Sequence, residues 1–272
     1  MTAPTAFPEL NGVLSDLVAS AEAILGDNFC GAYLQGSFAV GDADEHSDVD
    51  FAVVTHGEVT PPQLAALQAM HKRLHALESP WAQHLEGSYI PKSSLRRLDP
   101  ARPPYLYLDN GSSKLVWDDH DNTQVVRWSL REHGICLAGP EARSLADPVS
   151  ADVLRAELVA TMDRLATWAR ESHEMSRWKQ PYVVLSACRM LHTSSFGRVA
   201  SKKAGGEWSL AALDPEWSTL IQRALDDRPD PWERVHQRAD PESVERTLAF
   251  IDYALAVTGT YSASSAARSE AT

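Results

Sequence analysis

The chain has 272 residues, 25 Lys+Arg against 37 Asp+Glu, a formal charge of −12, and 44 % hydrophobic residues. That acidity argues against a nucleic-acid-coating protein, which needs a basic face for phosphates, while the composition is that of an ordinary globular protein. The charge is lopsided, with 10 basic and 20 acidic side chains in residues 1–150 but 15 and 17 in residues 151–272, which predicts two parts with different jobs.

Phe7–Leu25 carries apolar residues at helical spacing (Leu10, Leu14, Leu17, Val18, Ala21, Ile24) and stops at Gly26, so it reads as an amphipathic helix. Cys30–Leu34 and Val49–Val54 are short, β-rich apolar runs and read as neighbouring strands. Gln63–Leu77 returns to helical periodicity behind Pro61-Pro62. His84–Ile90 reads as a third strand, followed by Pro91 and a basic loop, and Val125–Leu137 as helix or as helix then strand. His120-Asp121-Asn122-Thr123 reads as a helix start, with Asp121 or Thr123 as cap.

After Gly139-Pro140 and Asp147-Pro148, with Ser150 as an N-cap, the periodicity is helical. The helices expected are Ala151–Glu171, Pro181–Ser195, Lys203–Leu213, Glu216–Asp226 and Pro241–Thr258, ahead of a small, polar, disordered tail. The expectation is an α+β domain over 1–148, a helical bundle over 149–260 and a tail over 261–272. Cys30, Cys136 and Cys188 lack metal or disulfide spacing, which fits a reducing compartment. With no leader pattern and no apolar run near the roughly 20 residues that span a bilayer, the expectation is a cytoplasmic protein with no membrane partner.

Chemistry concentrates in residues 36–50. Gly36-Ser37 follows the first strand, then comes an acidic loop, then Ser47-Asp48-Val49-Asp50 opens the next strand. In that loop Asp42, Asp44 and Glu45 also suit a solvated turn. Strand periodicity puts Asp48 and Asp50 on one face, about 7 Å apart at Cα. Carboxylates so placed can converge on Mg²⁺, which takes oxygen ligands together with substrate phosphates. An EF-hand fails, because a loop counted from Asp42 has Ser47 where Gly is needed and Val53 where Glu is needed. No G-x-x-x-x-G-K-[ST] occurs either. Gly36 would let a phosphate approach the backbone, and a helix N-terminus behind it would offer free N–H groups.

Strand, Gly36-Ser37, acidic turn, Asp48-Val49-Asp50, strand: this combination resembles the nucleotidyltransferase superfamily. Over nearly the whole chain it resembles the aminoglycoside adenylyltransferases of the streptomycin/spectinomycin type. The resemblance implies a nucleotidyltransferase-type mixed sheet with flanking helices, followed by an all-helical C-terminal bundle. It further implies a monomer that moves an adenylyl group from ATP, with Mg²⁺, to a drug hydroxyl.

Leu85-Glu86 stands at the family's third carboxylate, which implies that Glu86 is the general base and, with Asp48 and Asp50, a metal ligand. Read alone, Glu86 is a surface strand residue. The resemblance assigns Gly36, Ser37 and Ser47 to the phosphates, and Arg189 and Lys202 to the triphosphate from the bundle. Arg189 lies in an apolar helical run and needs an anionic partner, whether phosphate or a structural carboxylate. Trp168, Glu174 and Trp178 are the expected drug contacts, although Trp178 also suits a core cap. Two departures concern the acceptor. Lys179 stands where the family has an acidic drug contact, and Leu108-Asp109-Asn110-Gly111 stands where it has an aromatic. A cationic acceptor is therefore expected beside alternatives: another hydroxylated small molecule, a protein hydroxyl, or a non-catalytic nucleotide-binding module. A nucleic-acid nucleotidyltransferase shares the Asp-x-Asp logic but should carry a basic track.

Overall fold

The computed structural model describes residues 3–171, 175–228 and 231–269. Contacts divide the chain into two compact units, Met1–Pro148 and Val149–Thr272.

The first unit runs α1 (Pro8–Leu25), β1 (Phe29–Leu34), α2 (Gly36–Ala39), β2 (Val49–Thr55), α3 (Pro61–His75), α4 (Pro80–Gln83) and β3 (Leu85–Pro91). It continues with α5 (Lys92–Arg96), β4 (Tyr105–Leu108), β5 (Leu115–Asp118), α6 (Gln124–His133) and β6 (Ile135–Ala138). The strands form one mixed sheet in the order β5-β4-β3-β2-β1-β6, in which only β2 and β3 are parallel.

Alternation along the strands separates two cores. Phe51, Val53, Leu85, Leu106 and Leu108 face one side, where Leu10, Leu14 and Leu17 of α1 and Leu67 and Leu74 of α3 cover them. Tyr33, Ala52, Val54, Ile90 and Tyr105 face the other, against Leu130 of α6 and Leu145. Thr60 and Gln63 form a capping box at the start of α3. At α6 the Thr123 hydroxyl accepts from the Val126 N–H, so Thr123 is the cap and Asp121 is free for another role. The segment Val125–Leu137 resolves into helix then strand, because Gly134 ends α6 and releases Ile135–Ala138 to pair with β1. β4 and β5 lie within what reads from sequence as loop.

The second unit is helical: α7 (Ala151–Glu171), α8 (Lys179–Phe196), α9 (Lys202–Ala212), α10 (Ser218–Asp226) and α11 (Pro241–Ser269). Gly197 closes α8 in a left-handed conformation, φ 65°. Helix α11 runs on through residues 261–269, where the sequence predicts a disordered tail. Ala263, Ala266 and Ala267 are strong helix formers, and no proline interrupts the run. Among the described residues no helix is long and apolar enough to cross a membrane.

Candidate active site

β2 and β3 run in parallel with Asp50 directly opposite Glu86. Both side chains lie on the α6-facing side of the sheet, since their neighbours Phe51 and Leu85 face α1 and α3. Asp48, Asp50 and Glu86 each offer an oxygen within 4.8 Å of the others. Three carboxylates so close repel one another, which makes the cluster a receptor for positive charge.

Glu86 records that strain most clearly. Burial first, and then the Asp48 carboxylate, push its carboxyl up to about 7, while a hydrogen bond from Tyr107 and the imidazole of His120 pull the other way. The Tyr107 hydroxyl donates to Glu86 Oε1 at 2.6 Å. His120 Nε2 lies 3.5 Å from the same oxygen, and its ring stacks on Tyr107 with centroids 5.2 Å apart. Beneath them Asp121 is buried, its carboxyl raised by that burial, and it accepts from Ser88 Oγ at 2.8 Å and from the Gln35 side chain.

The buried guanidinium of Arg127 anchors this segment. It donates to Asn122 Oδ1, the Ser94 carbonyl and the Tyr105 hydroxyl, tying α6 to β4 and holding 120–122 against the sheet. Sequence reasoning treats 120–123 as structural and passes over Tyr107. Both reach the site through the β3–β4 pairing and the turn after β5, long-range features that no local spacing carries.

The glycine turn lies against the carboxylates. Gly36 has φ +59°, and a Cβ there would come 1.8 Å from Asp50 Oδ2, so only glycine lets the turn close over β2. The Gln35 N–H donates to the Asp50 carbonyl at 2.9 Å, pinning the turn to β2. Ser37 Oγ is buried without a hydrogen-bond partner among the described residues. The expected helix behind the turn is α2, a single turn of four residues. It is too short to carry much dipole, so the turn offers N–H groups rather than a field. Ser47, predicted for the phosphates, lies in the acidic loop, where its hydroxyl donates to Asp44 Oδ1 at 3.2 Å and accepts from the Asp44 N–H at 3.0 Å.

The unmatched segment 108–111 forms the turn between β4 and β5. There Asn110 reaches Asp48 Oδ2 at 3.5 Å, and its own Oδ1 meets His84 Nδ1 at 3.0 Å.

In the helical unit Arg189 lies part-buried on α8, and its guanidinium makes no ion pair with a described residue. Lys202 opens α9 with its ammonium 4.1 Å from the centre of the Tyr182 ring. Trp168 and Trp178 meet edge to face, centroids 6.2 Å apart, and both pack on Tyr182. Lys179 is 5 % exposed. Its ammonium lies 4.0 Å from the centre of the Trp168 ring and donates to the Trp168 carbonyl at 2.5 Å. Burial lowers its pKa, with Glu171 opposing. The remaining predicted drug contact, Glu174, lies outside the described residues.

Comparison with known proteins matches each unit separately. Residues 30–93 match the nucleotidyltransferase domain, and residues 144–254 match the C-terminal domain of aminoglycoside adenylyltransferases. The chain is 25 % identical over 232 residues to the spectinomycin 9-adenylyltransferase of Staphylococcus aureus, covering 79 % of this chain and 85 % of that one. It is also 25 % identical over 248 residues to the aminoglycoside (3'') (9) adenylyltransferase of Shigella flexneri, covering 85 % and 90 %. The fold is shared with the spectinomycin adenyltransferase AAD(9) of Enterococcus faecialis, solved with ATP and spectinomycin. That likeness has a TM-score of 0.70 at 14 % identity, over 90 % of this chain and 98 % of that one. Residues 30–93 thus belong to the nucleotidyltransferase domain family and residues 144–254 to the C-terminal domain family of aminoglycoside adenylyltransferases, the two-domain make-up of an adenylyltransferase-type enzyme.

Proposed function

We propose that the protein transfers an adenylyl group from ATP to a hydroxyl of an aminoglycoside or aminocyclitol, releasing pyrophosphate. The observation that carries this reading is the convergence of Asp48, Asp50 and Glu86 on one sheet face. An all-oxygen donor set suits Mg²⁺. Gly36, closed over Asp50, and the unpartnered hydroxyl of Ser37 suit a phosphate beside it. Asp48, Asp50 and Glu86 would hold the ion, whose contribution is to neutralise and orient phosphate oxygens.

The remaining roles belong to the chain itself. Gly36 and Ser37 seat the β- and γ-phosphates, while Ser47 keeps the loop in shape. We assign Arg189 and Lys202 to the triphosphate charge; the absence of an ion pair between Arg189 and any described residue supports this, because a part-buried guanidinium needs an anion. Glu86 takes the proton of the acceptor hydroxyl as that oxygen attacks the α-phosphorus and pyrophosphate leaves on the opposite side. Alignment and charge neutralisation supply most of the acceleration in such chemistry.

The relatives named for spectinomycin and aminoglycosides support a cationic acceptor, and the carboxylate cluster draws positive charge. Lys179 favours a second reading, because its ammonium already covers the Trp168 face on which a cationic ligand would stack. That reading is a less cationic hydroxylated acceptor, with Trp168 and Trp178 still framing it. Pyrophosphate release from Mg-ATP across streptomycin, spectinomycin and other aminoglycosides separates the two. Release with any of these drugs, abolished in Asp50→Asn, supports the first reading. No release with any drug, but release with neutral polyols or nucleosides, supports the second.

A further inference from the structure

We propose that Tyr107 is the positioning residue of Glu86, fixing which of its two oxygens faces the reaction. The inference rests on the function proposed above for Glu86, but the geometry stands by itself. β4 pairs antiparallel to β3 with Tyr107 opposite Ser88, so Tyr107, Ser88 and Glu86 share one sheet face. From that register the tyrosine side chain reaches diagonally along β3 and donates to Glu86 Oε1 at 2.6 Å. His120, stacked on the phenol ring, closes the far side of the same oxygen at 3.5 Å. Both partners therefore meet Oε1, and no hydrogen bond from a described residue reaches Oε2.

A carboxylate on a three-atom stem has rotational freedom that a reacting group must lose. Pinning one oxygen leaves the other as the atom presented to the aspartates and to an incoming hydroxyl. The phenol has one proton and two carboxylates in reach, and Asp109 Oδ1 is the more distant at 3.3 Å. Glu86 is the working acceptor. Tyr107 is buried and rigid on its strand, so the pin costs little entropy at each turnover. The tyrosine itself contacts neither substrate nor ion in this proposal.

The test compares Tyr107→Phe with Asp109→Asn and wild type by crystallography and by steady-state kinetics. In Tyr107→Phe the Glu86 carboxylate should leave its wild-type rotamer or occupy two. kcat should fall about 10- to 100-fold, the scale set by misplacing a reacting group, while KM for ATP and the melting temperature stay near wild type. Asp109→Asn should leave both the rotamer and kcat close to wild type. An unchanged Glu86 rotamer in Tyr107→Phe overturns the proposal, as does a kcat within about twofold of wild type. An equal effect of Asp109→Asn also overturns it, since Asp109 would then be the partner that matters. If wild type turns over no acceptor, the function proposed for the site fails, and the rotamer alone decides the role of Tyr107.

Discussion

A β-carbon at position 36 would meet Asp50 Oδ2 at 1.8 Å, on a backbone whose φ of +59° already disfavours any side chain. Nothing flexible gives way there, because the obstructing group is the carboxylate of the site itself. Gly36→Ala should therefore cut pyrophosphate release by about 100-fold while leaving the far-ultraviolet circular dichroism native. His71 offers a separate test below the sheet. It is 1 % exposed, stacks on Phe51, and its Nε2 meets the Tyr89 hydroxyl at 2.8 Å, while Nδ1 has no partner among the described residues.

Burial pulls that imidazole down to about 3 from an ordinary 6.5. Between those values the unfolded chain binds a proton that the folded chain refuses. Stability contributed by His71 is therefore fully present above pH 6.5 and is lost as pH falls toward 3. Urea denaturation of His71→Phe should show a shallower loss between neutral pH and about pH 4 than wild type does, whatever its absolute stability. Matching slopes would count against a neutral buried histidine.

At the scale of single elements, two contacts secure α8 at its ends. Gly197 caps its C-terminus at φ 65°, and a Cβ there would press on Ala151 Cβ at 2.3 Å. Gly197→Ala should cost about 1–2 kcal/mol in chemical denaturation. At the other end Lys179 donates to the Trp168 carbonyl in the last turn of α7 and covers the indole face. It is thus a cation at a helix C-terminus, which favours positive charge. Lys179→Met should cost about 1 kcal/mol and, under the second reading of the acceptor, admit cationic drugs that the native chain rejects.

How far the sequence reveals these elements depends on the range of the signal. β1, β2 and β3 show as apolar runs between turn residues, and α7 appears with its final bounds, because local periodicity carries them. β4 is only Tyr-Leu-Tyr-Leu behind Pro103-Pro104, and β5 places Val116 and Trp117 half in solvent. Neither looks like a strand until it pairs. The site divides the same way. Gly36-Ser37 and Asp48-Val49-Asp50 are legible as spacing, and Glu86 through resemblance. Tyr107 and His120 arrive across strand register and a turn, so local reading gives them no role. Ser47 is legible only as a residue type, and its hydroxyl is engaged by Asp44 in the acidic loop.

For the whole molecule, the charge asymmetry acquires a location. The acidic first unit holds the three converging carboxylates, and the second, closer to neutral, holds Arg189 and Lys202. A divalent cation should stabilise the folded chain by mass action, about 2.7 kcal/mol at a hundredfold excess over Kd. Millimolar Mg²⁺ should then raise the melting temperature of wild type by several degrees and leave Asp48→Asn/Asp50→Asn unmoved. An equal rise in both would place the ion elsewhere. Most direct for adenylyl transfer is the fate of label from ATP incubated with Mg²⁺ and an accepted acceptor. Label at the α-phosphorus should appear on the acceptor, and label at the γ-phosphorus should leave in pyrophosphate. Label from the γ-phosphorus on the acceptor would mean phosphoryl transfer and would contradict the account.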